Sequence, residues 1–302
     1  MLIGLVSFYL VTFPLRLDPE ILNVSQIVEG NRCFFLLDQV NETVWKTDLN
    51  GIILAKYAKK GQGPAEFIKI SKLSCDSSQL YLSDWAKRSL LVFSQDFEFR
   101  KEFKFEGMVR DILIVDRSYF VLNWMNGHLI QKYDPELKLL TAFGTGLSDP
   151  RMLGSQFGHM ILLDGRILLQ HVFLPFFELF DLNGNLERRV NIPGFPESPL
   201  IVFETFYDRS KPNLFQVHNV YVSGTSLFFH IYDYSEGSKK RRDWLYQYNL
   251  LGHSFEERTQ IDRQLADSLL SDHKGKTYRI FENEEGELSH LNLIDLKGVF
   301  ND

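Results

Sequence analysis

Hydrophobic and polar positions along this chain alternate in short runs, and the runs recur. Cys33–Asp38 is apolar up to a terminal Asp, Thr43–Gly51 runs into a turn, and Ile52–Ala58 leaves it. Short runs bounded by Asx and Gly residues predict β-strands joined by hairpins. The unit returns as Gln79–Asp84 with Ser89–Glu98 and Phe99–Phe105, then as Tyr119–Asn123 with His128–Leu137 and Lys138–Phe143. It returns again as Arg166–Gln170 with Phe176–Gly184 and Asn185–Ile192, and as Ser226–Tyr232 with Trp244–Gly252 and His253–Thr259.

The turns make the period explicit. They start at Asp48, Gln95, Asp134, Asp181 and Asn249, in steps of 47, 39, 47 and 68 residues. The long step carries a polar insertion, Ser235–Asp243, and the proline-containing stretch Pro193–Pro212. Asp48-Leu49-Asn50-Gly51 and Asp181-Leu182-Asn183-Gly184 supply an Asx side chain for local backbone hydrogen bonds and a Gly for positive φ. A further apolar strand precedes each unit: Ile70–Ser74, Val109–Val115, Phe157–Leu163 and Phe215–Val222. Four short strands repeated at roughly 45 residues predict sheets arranged radially about a channel, with the preceding strands innermost.

The expected fold is therefore all-β: a six-bladed β-propeller of four-stranded antiparallel blades, one domain over residues 1–302. The sixth unit is less regular. Thr259–Gly275 reads as a short inserted helix, with Thr259 as N-cap, an apolar face of Ile261, Leu265 and Leu269, and Gly275 at its end. Tyr278–Glu282, a Glu284-Glu285-Gly286 turn and Leu288–Leu296 follow, and Asp295-Leu296-Lys297-Gly298 resembles the repeated turn. The last blade then needs a strand from elsewhere, and Val11–Leu17 is the candidate that closes the ring. Met1–Phe13 has a second reading, as the remnant of an export signal, although it lacks a basic start, an Ala-x-Ala-like cleavage site and a lipidation cysteine. No stretch of 18 apolar residues predicts a transmembrane helix.

Composition sharpens this picture. The chain has 26 Phe and 12 Tyr, residues that favour pleated, half-buried surfaces. A net charge of -6 argues against nucleic acid as a partner, which needs a basic field. The basic run Lys239-Lys240-Arg241-Arg242 reads as a solvated loop. Cys33 and Cys75 sit in apolar contexts and read as small buried hydrophobes rather than a disulfide framework.

Lys60-Gly61-Gln62-Gly63-Pro64-Ala65-Glu66-Phe67 follows the first blade. With the strand, Asp48-x-x-Gly51 turn and strand before it, this segment resembles the TolB-like and NHL-like six-bladed propellers of Bacteroides-type bacteria, which carry Gly-x-Gly-Pro-x-Glu-Phe between their first two blades. The likeness covers residues 20–105 closely and the rest by repeat pattern. It implies an exported, periplasmic or envelope-associated protein, and it implies little about chemistry.

No residue set forms an enzyme signature. Gly61-Gln62-Gly63-Pro64 lacks the Gly-Lys-Ser/Thr ending of a phosphate loop, so it is expected to shape an inter-blade crossing, with Glu66 capping it. Asp38, Asp84 and Asn123 occupy equivalent strand ends, where turn chemistry repeated once per blade is favoured over a cation site. The innermost strands carry Lys72, Arg110, Asp111, His159, His218 and Asn219, of which His159, His218 and the one acid Asp111 make a thin metal-ligand set. Trp85 and Trp124 each follow a strand end, so both are expected on one face of the disc, either packed on a neighbouring blade or exposed for contact. The leading expectation is a monomeric, non-enzymatic binding or scaffold propeller without a cofactor. It would hold a protein or small-molecule ligand at the channel mouth through Arg110, Asp111, Trp85, Trp124, His159 and His218. The alternative is a lactonase-like hydrolase or lyase with calcium or zinc in the channel, and a third reading is a structural part of a cell-envelope assembly.

Overall fold

The computed structural model describes residues 15–16, 20–21, 23–107, 109–125, 128–145, 158–172, 174–194, 214–234, 241–263, 265, 269–271, 277–282 and 288–293. Blade 1 is formed by β2 (Gln26–Glu29), β3 (Phe34–Asp38), β4 (Thr43–Thr47) and β5 (Ile53–Tyr57). Blade 2 is formed by β6 (Ile70–Cys75), β7 (Gln79–Asp84), β8 (Ser89–Ser94) and β9 (Phe99–Lys104). Blade 3 holds β10 (Asp111–Val115), β11 (Ser118–Met125), β12 (His128–Tyr133) and β13 (Leu139–Thr145). Blade 4 holds β14 (Gly158–Leu163), β15 (Arg166–His171), β16 (Phe176–Asp181) and β17 (Leu186–Asn191). Blade 5 holds β18 (Leu214–Ser223), β19 (Ser226–Tyr234), β20 (Arg242–Asn249) and β21 (Ser254–Ile261). The sixth combines β22 (Leu269–Ser271), β23 (Thr277–Glu282) and β24 (Leu288–Leu293) with β1 (Leu15–Arg16).

Every sheet is a four-stranded antiparallel meander, and β1 is the outer strand of the sixth, paired as Leu15 with Leu291 and Arg16 with His290. The N-terminal strand thus closes the ring as expected. First strands of successive blades neighbour one another around the centre: β2 with β6, β6 with β10, β10 with β14, β18 with β22, and β22 with β2. Blades 4 and 5 meet through β15 and β18.

Alternation along a strand explains why the second strands are apolar on both faces. Successive side chains point to opposite sides of a sheet, and each blade is covered on both sides by its neighbours. Phe35 and Leu37 therefore pack with Leu82 and Phe93 between blades 1 and 2, while Leu36 faces Leu270 and Tyr278 across the seam with blade 6. The described core divides in the same way at every junction. Tyr81, Val92 and Val121 fill the space between blades 2 and 3, and Phe120, Ile130 and Leu169 that between 3 and 4. Phe177, Phe229 and Tyr248 fill the junction of 4 and 5, and Tyr221, Phe228 and Leu269 that of 5 and 6.

The repeated turns work through their first side chain. Asp48 Oδ1 accepts the N–H groups of Asn50 and Ile52 at 2.8 and 2.9 Å, and Gly51 adopts a φ of 89°. Asp134, Asp181 and Asn249 do the same in their blades. In blade 2 the equivalent residue is Ser94, not Gln95: Ser94 Oγ accepts from Asp96 and Glu98, both at 3.2 Å. The Gln95 side chain instead ties blades 1 and 2 together, accepting from the Asn31 N–H at 2.8 Å and donating to the Asp76 carbonyl at 2.8 Å.

The expected helix over 259–275 is corrected. Thr259 and Ile261 belong to β21, Leu269 to β22, and only Arg263 and Leu265 are helical among the described residues between them. The cap is Asp262, whose Oδ1 accepts the Leu265 N–H at 2.8 Å. The apolar i, i+4, i+8 spacing was real but served two strands: Ile261, Leu265 and Leu269 all pack into the junction of blades 5 and 6. Lys239, Lys240, Gly275, the Glu284–Gly286 turn, the Asp295–Gly298 turn and most of Val11–Leu17 lie outside the described residues.

Candidate functional site

First strands begin, and second strands end, on one face of the disc. The Gly-x-Gly-Pro segment lies at this level as a self-bonded crossing between blades. Gly61 donates to the Phe67 carbonyl at 2.9 Å, Phe67 to the Lys59 carbonyl at 3.0 Å, and Gly63 to Glu66 Oε2 at 2.8 Å. Lys87 Nζ then donates to the carbonyls of Gly63 and Glu66. Glu66 caps the loop as expected.

The strand-end acids are consumed by local backbone. Asp84, fully buried, accepts N–H groups from Ile68, Lys69, Ala86 and Lys87 at 2.6–3.2 Å. Asp38 accepts the Asn41 N–H at 2.9 Å and its side-chain amide at 2.8 Å. Asn123, also buried, leaves both atoms of its amide without a hydrogen-bond partner among the described residues. Among the described residues, no three His, Cys, Asp or Glu side chains converge as a bound metal would require.

Between these loops lies a recess of about 290 Å³. Trp85, Arg110 and His159 line it, so three of the six expected residues meet there. Each follows from its place in the repeat. Trp85 is the residue after β7, Arg110 the residue before β10, and His159 the second residue of β14. Gln39, Lys69 and Ser71 complete the polar wall, and Ile70, Val172 and Gly158 the apolar and backbone wall. A Cβ at Gly158 would lie 2.6 Å from the Gln170 carbonyl oxygen, so this close strand approach accepts only glycine.

Asp111 is not on the surface of the recess but beneath it. Its side chain is 1% exposed, with Lys72 Nζ at 3.7 Å and His159 Nδ1 at 3.9 Å. It accepts the N–H groups of Ile112 and Met160 at 2.8 and 2.9 Å, which ties blade 3 to blade 4. Burial raises its pKa, against the charge of Lys72 and these N–H groups. His159 is enclosed by the channel wall, with 39% of its side-chain surface still open. That desolvation, followed by the nearby Lys72 and His218, lowers its pKa to about 3. The open edge lets water offset part of the effect without changing its direction, so the ring is uncharged at neutral pH.

His218 is not among the described lining residues, although it is close enough to His159 to act on its charge. It lies on β18, is exposed and stacks on Tyr232 with ring centroids 4.4 Å apart. Trp124 falls within β11, with its side chain outside those described.

Sequence reasoning missed Lys69, Gln39 and Ser71. A signal for Lys69 was present, because it immediately precedes β6 as Arg110 immediately precedes β10. It also missed two buried polar relays. His171 Nε2 lies 3.1 Å from Glu178 Oε2, and Arg189 holds Glu178 Oε1 through Nε and Nη2 at 3.0 and 2.6 Å. In blade 5, His230 Nε2 lies 2.8 Å from Asp243 Oδ1, and Arg241 Nε lies 3.0 Å from Asp243 Oδ2. Burial opposes ionisation of Glu178, but the bonds and charges of His171 and Arg189 outweigh it and lower its pKa. The same contest, with His230 and Arg241, lowers the pKa of Asp243.

A closed ring of four-stranded meanders with a recess at the channel mouth can be set beside known proteins. A family model, DUF5128, described as a 6-bladed beta-propeller, matches residues 16–135. The chain is a six-bladed propeller. Among solved structures, a Bacteroides fragilis protein named as a candidate for export is similar at 14% identity, with 94% of each chain covered and a TM-score of 0.69. A DUF4221 family member from Bacteroides vulgatus is similar at 11% identity, with 94% of this propeller and 96% of that chain covered and a TM-score of 0.65. A virginiamycin B lyase from Staphylococcus aureus is similar at 13% identity, with 94% and 99% covered and a TM-score of 0.53. At these identities the likeness is one of fold alone. No curated protein matches the chain.

Proposed function

We propose that this protein is a binding propeller that takes its ligand in the recess at the channel mouth. The observation that carries the reading is the convergence there of Trp85, Arg110 and His159, contributed by three different blades. A pocket walled by an aromatic and a few polar groups, and placed where several blades meet, suits ligand binding. Two of the wall side chains are open to solvent: Trp85 is 38% exposed and His159 39%. The test is a ligand screen by thermal shift on the intact protein, repeated on Trp85→Ala and Arg110→Ala. Ligands that stabilise the wild type should lose their effect in both variants. Hits that stabilise all three proteins equally would remove the recess as the site.

A cell-envelope location belongs to the same proposal, as does kinship with the TolB-like and NHL-like propellers. Its support is the export description carried by the Bacteroides fragilis relative, the Gly-x-Gly-Pro-x-Glu-Phe segment, and the apolar Met1–Phe13. No helix among the described residues is long and apolar enough to cross a membrane. Fractionation of cells expressing the tagged chain tests the location, and recovery in the cytoplasm alone would overturn it.

A further inference from the structure

Resting on the recess as the ligand site, we infer that its ligand is an uncharged ring carrying hydroxyl groups, a neutral saccharide unit. The first ground is charge. The charged groups at and around the recess are engaged. Lys69 Nζ holds Glu42 Oε1 at 3.0 Å, and Lys60 holds the other oxygen of that carboxylate at 2.6 Å. Arg110 is engaged as well. Asp84 gives its carboxylate to four backbone N–H groups. Asp111 sits beneath the floor with Lys72 and two N–H groups. A charged ligand of either sign would leave water here without an available counter-charge, which costs free energy.

The second ground is what the wall leaves open. His159 Nδ1 is 3.9 Å from Asp111, beyond hydrogen-bond reach, and neither ring nitrogen has a hydrogen-bond partner among the described residues. The ring is uncharged at neutral pH, so one nitrogen donates and the other accepts. Gln39 donates its side-chain amide to the Ser71 carbonyl at 3.3 Å and keeps its amide oxygen as an acceptor. A hydroxyl both donates and accepts, so it satisfies a neutral imidazole and an amide oxygen alike. The third ground is shape. Trp85 is 38% exposed and offers a flat face, whose negative centre suits the C–H face of a sugar ring. A hydrocarbon ring would fit the wall of Trp85, Ile70 and Val172 but leave His159 and Gln39 unpaired. About 290 Å³ lies at the low end of ligand pockets, room for a single unit rather than a long chain.

Isothermal titration of the full chain tests this with glucose and galactose, each beside its uronate and its amino sugar, and with cyclohexanol as a ring that lacks the hydroxyl set. At least one neutral sugar should bind at least about tenfold more tightly than its own acid, its own amine and cyclohexanol, with an affinity unmoved by sodium chloride. Trp85→Ala should weaken that sugar about tenfold. His159→Phe and Gln39→Met should each weaken it about fivefold and leave cyclohexanol unchanged, with unchanged circular dichroism in all variants. Gln39 is exposed, so its variant keeps the test open should His159→Phe not fold. A charged twin or cyclohexanol binding as tightly as the neutral sugar would overturn the inference, and loss of that binding in Trp85→Ala would keep the recess as the site. Sugar binding unmoved by both polar substitutions would overturn it as well. So would the absence of sugar binding at about 10 mM, and the recess then rests on whether Trp85→Ala removes the thermal-shift hits. Binding indifferent to Trp85→Ala would overturn the recess itself.

Discussion

Asp84 and His171 each end the second strand of a blade, and both are buried, yet their environments are built on different chemistry. In blade 2 the carboxylate reaches only backbone: four N–H groups, all within 16 residues of it in the chain. In blade 4 the imidazole reaches across the sheet to Glu178 on β16, which in turn takes Arg189 from β17. Blade 5 holds a related His, acid and Arg set, but with the His within its second strand rather than at the end: His230, Asp243 and Arg241. A short Asx side chain at this position stays near its own loop. A longer ring passes over it and must find a partner on the next strand. The repeat therefore calls for a polar group at the strand end without dictating how it is satisfied.

Substitutions can break this comparison. The largest effect is expected for Glu178→Ala, which strands His171 and Arg189. Removing one member of a buried pair costs about 3–5 kcal/mol, read by urea unfolding. Asp84→Ala should cost less, about 2–3 kcal/mol, because water can reach some of the released loop N–H groups. Equal losses at the two sites would mean that the cross-strand relay adds nothing to the local arrangement.

Acid unfolding sharpens the contrast. Glu178 and Asp243 have lowered pKa values in the folded protein, so their stabilisation is full above the unfolded carboxylate range and is lost as pH falls through the folded values. Stability of the wild type should decline below about pH 4, and Glu178→Gln should flatten that decline. An unchanged slope would remove Glu178 from the acid response. At the exposed hairpin, Asp48→Ala should cost only about 1 kcal/mol, since solvent replaces its hydrogen bonds.

The smallest expected change is at His159, paired across the ladder with Gln170, the residue before His171. Its lowered pKa predicts an imidazole NMR signal that stays in the neutral position from pH 7 to about 4. A midpoint near the ordinary histidine value would show that water, not the channel wall, governs this ring.

Much of the fold was legible because the repeat is written in local terms. Asp48, Asp134, Asp181 and Asn249 could be found without a structure, since each bonds N–H groups two to four residues on. Ser94 escaped, because a hydroxyl does the same work with a weaker sequence signature and an amide follows it at Gln95. The Thr259–Gly275 helix was misread because helical spacing and a strand, turn, strand passage can carry the same apolar positions to one inter-blade junction. In the candidate site, position in the repeat located Trp85, Arg110 and His159. It could not show that Asp111 turns inward while Arg110, its neighbour, lines the recess.

By itself, then, the sequence determined the blade. Alternation placed apolar residues on both faces of each second strand, and Asx turns set the hairpins, because both depend on contacts a few residues apart. Tertiary structure alone decided what the blades do to one another. Ring closure joined Leu15 to Leu291, and blade angle brought Trp85, Arg110 and His159 around one recess. Each of these depends on distances through space between residues remote in the chain, and no local pattern encodes those distances.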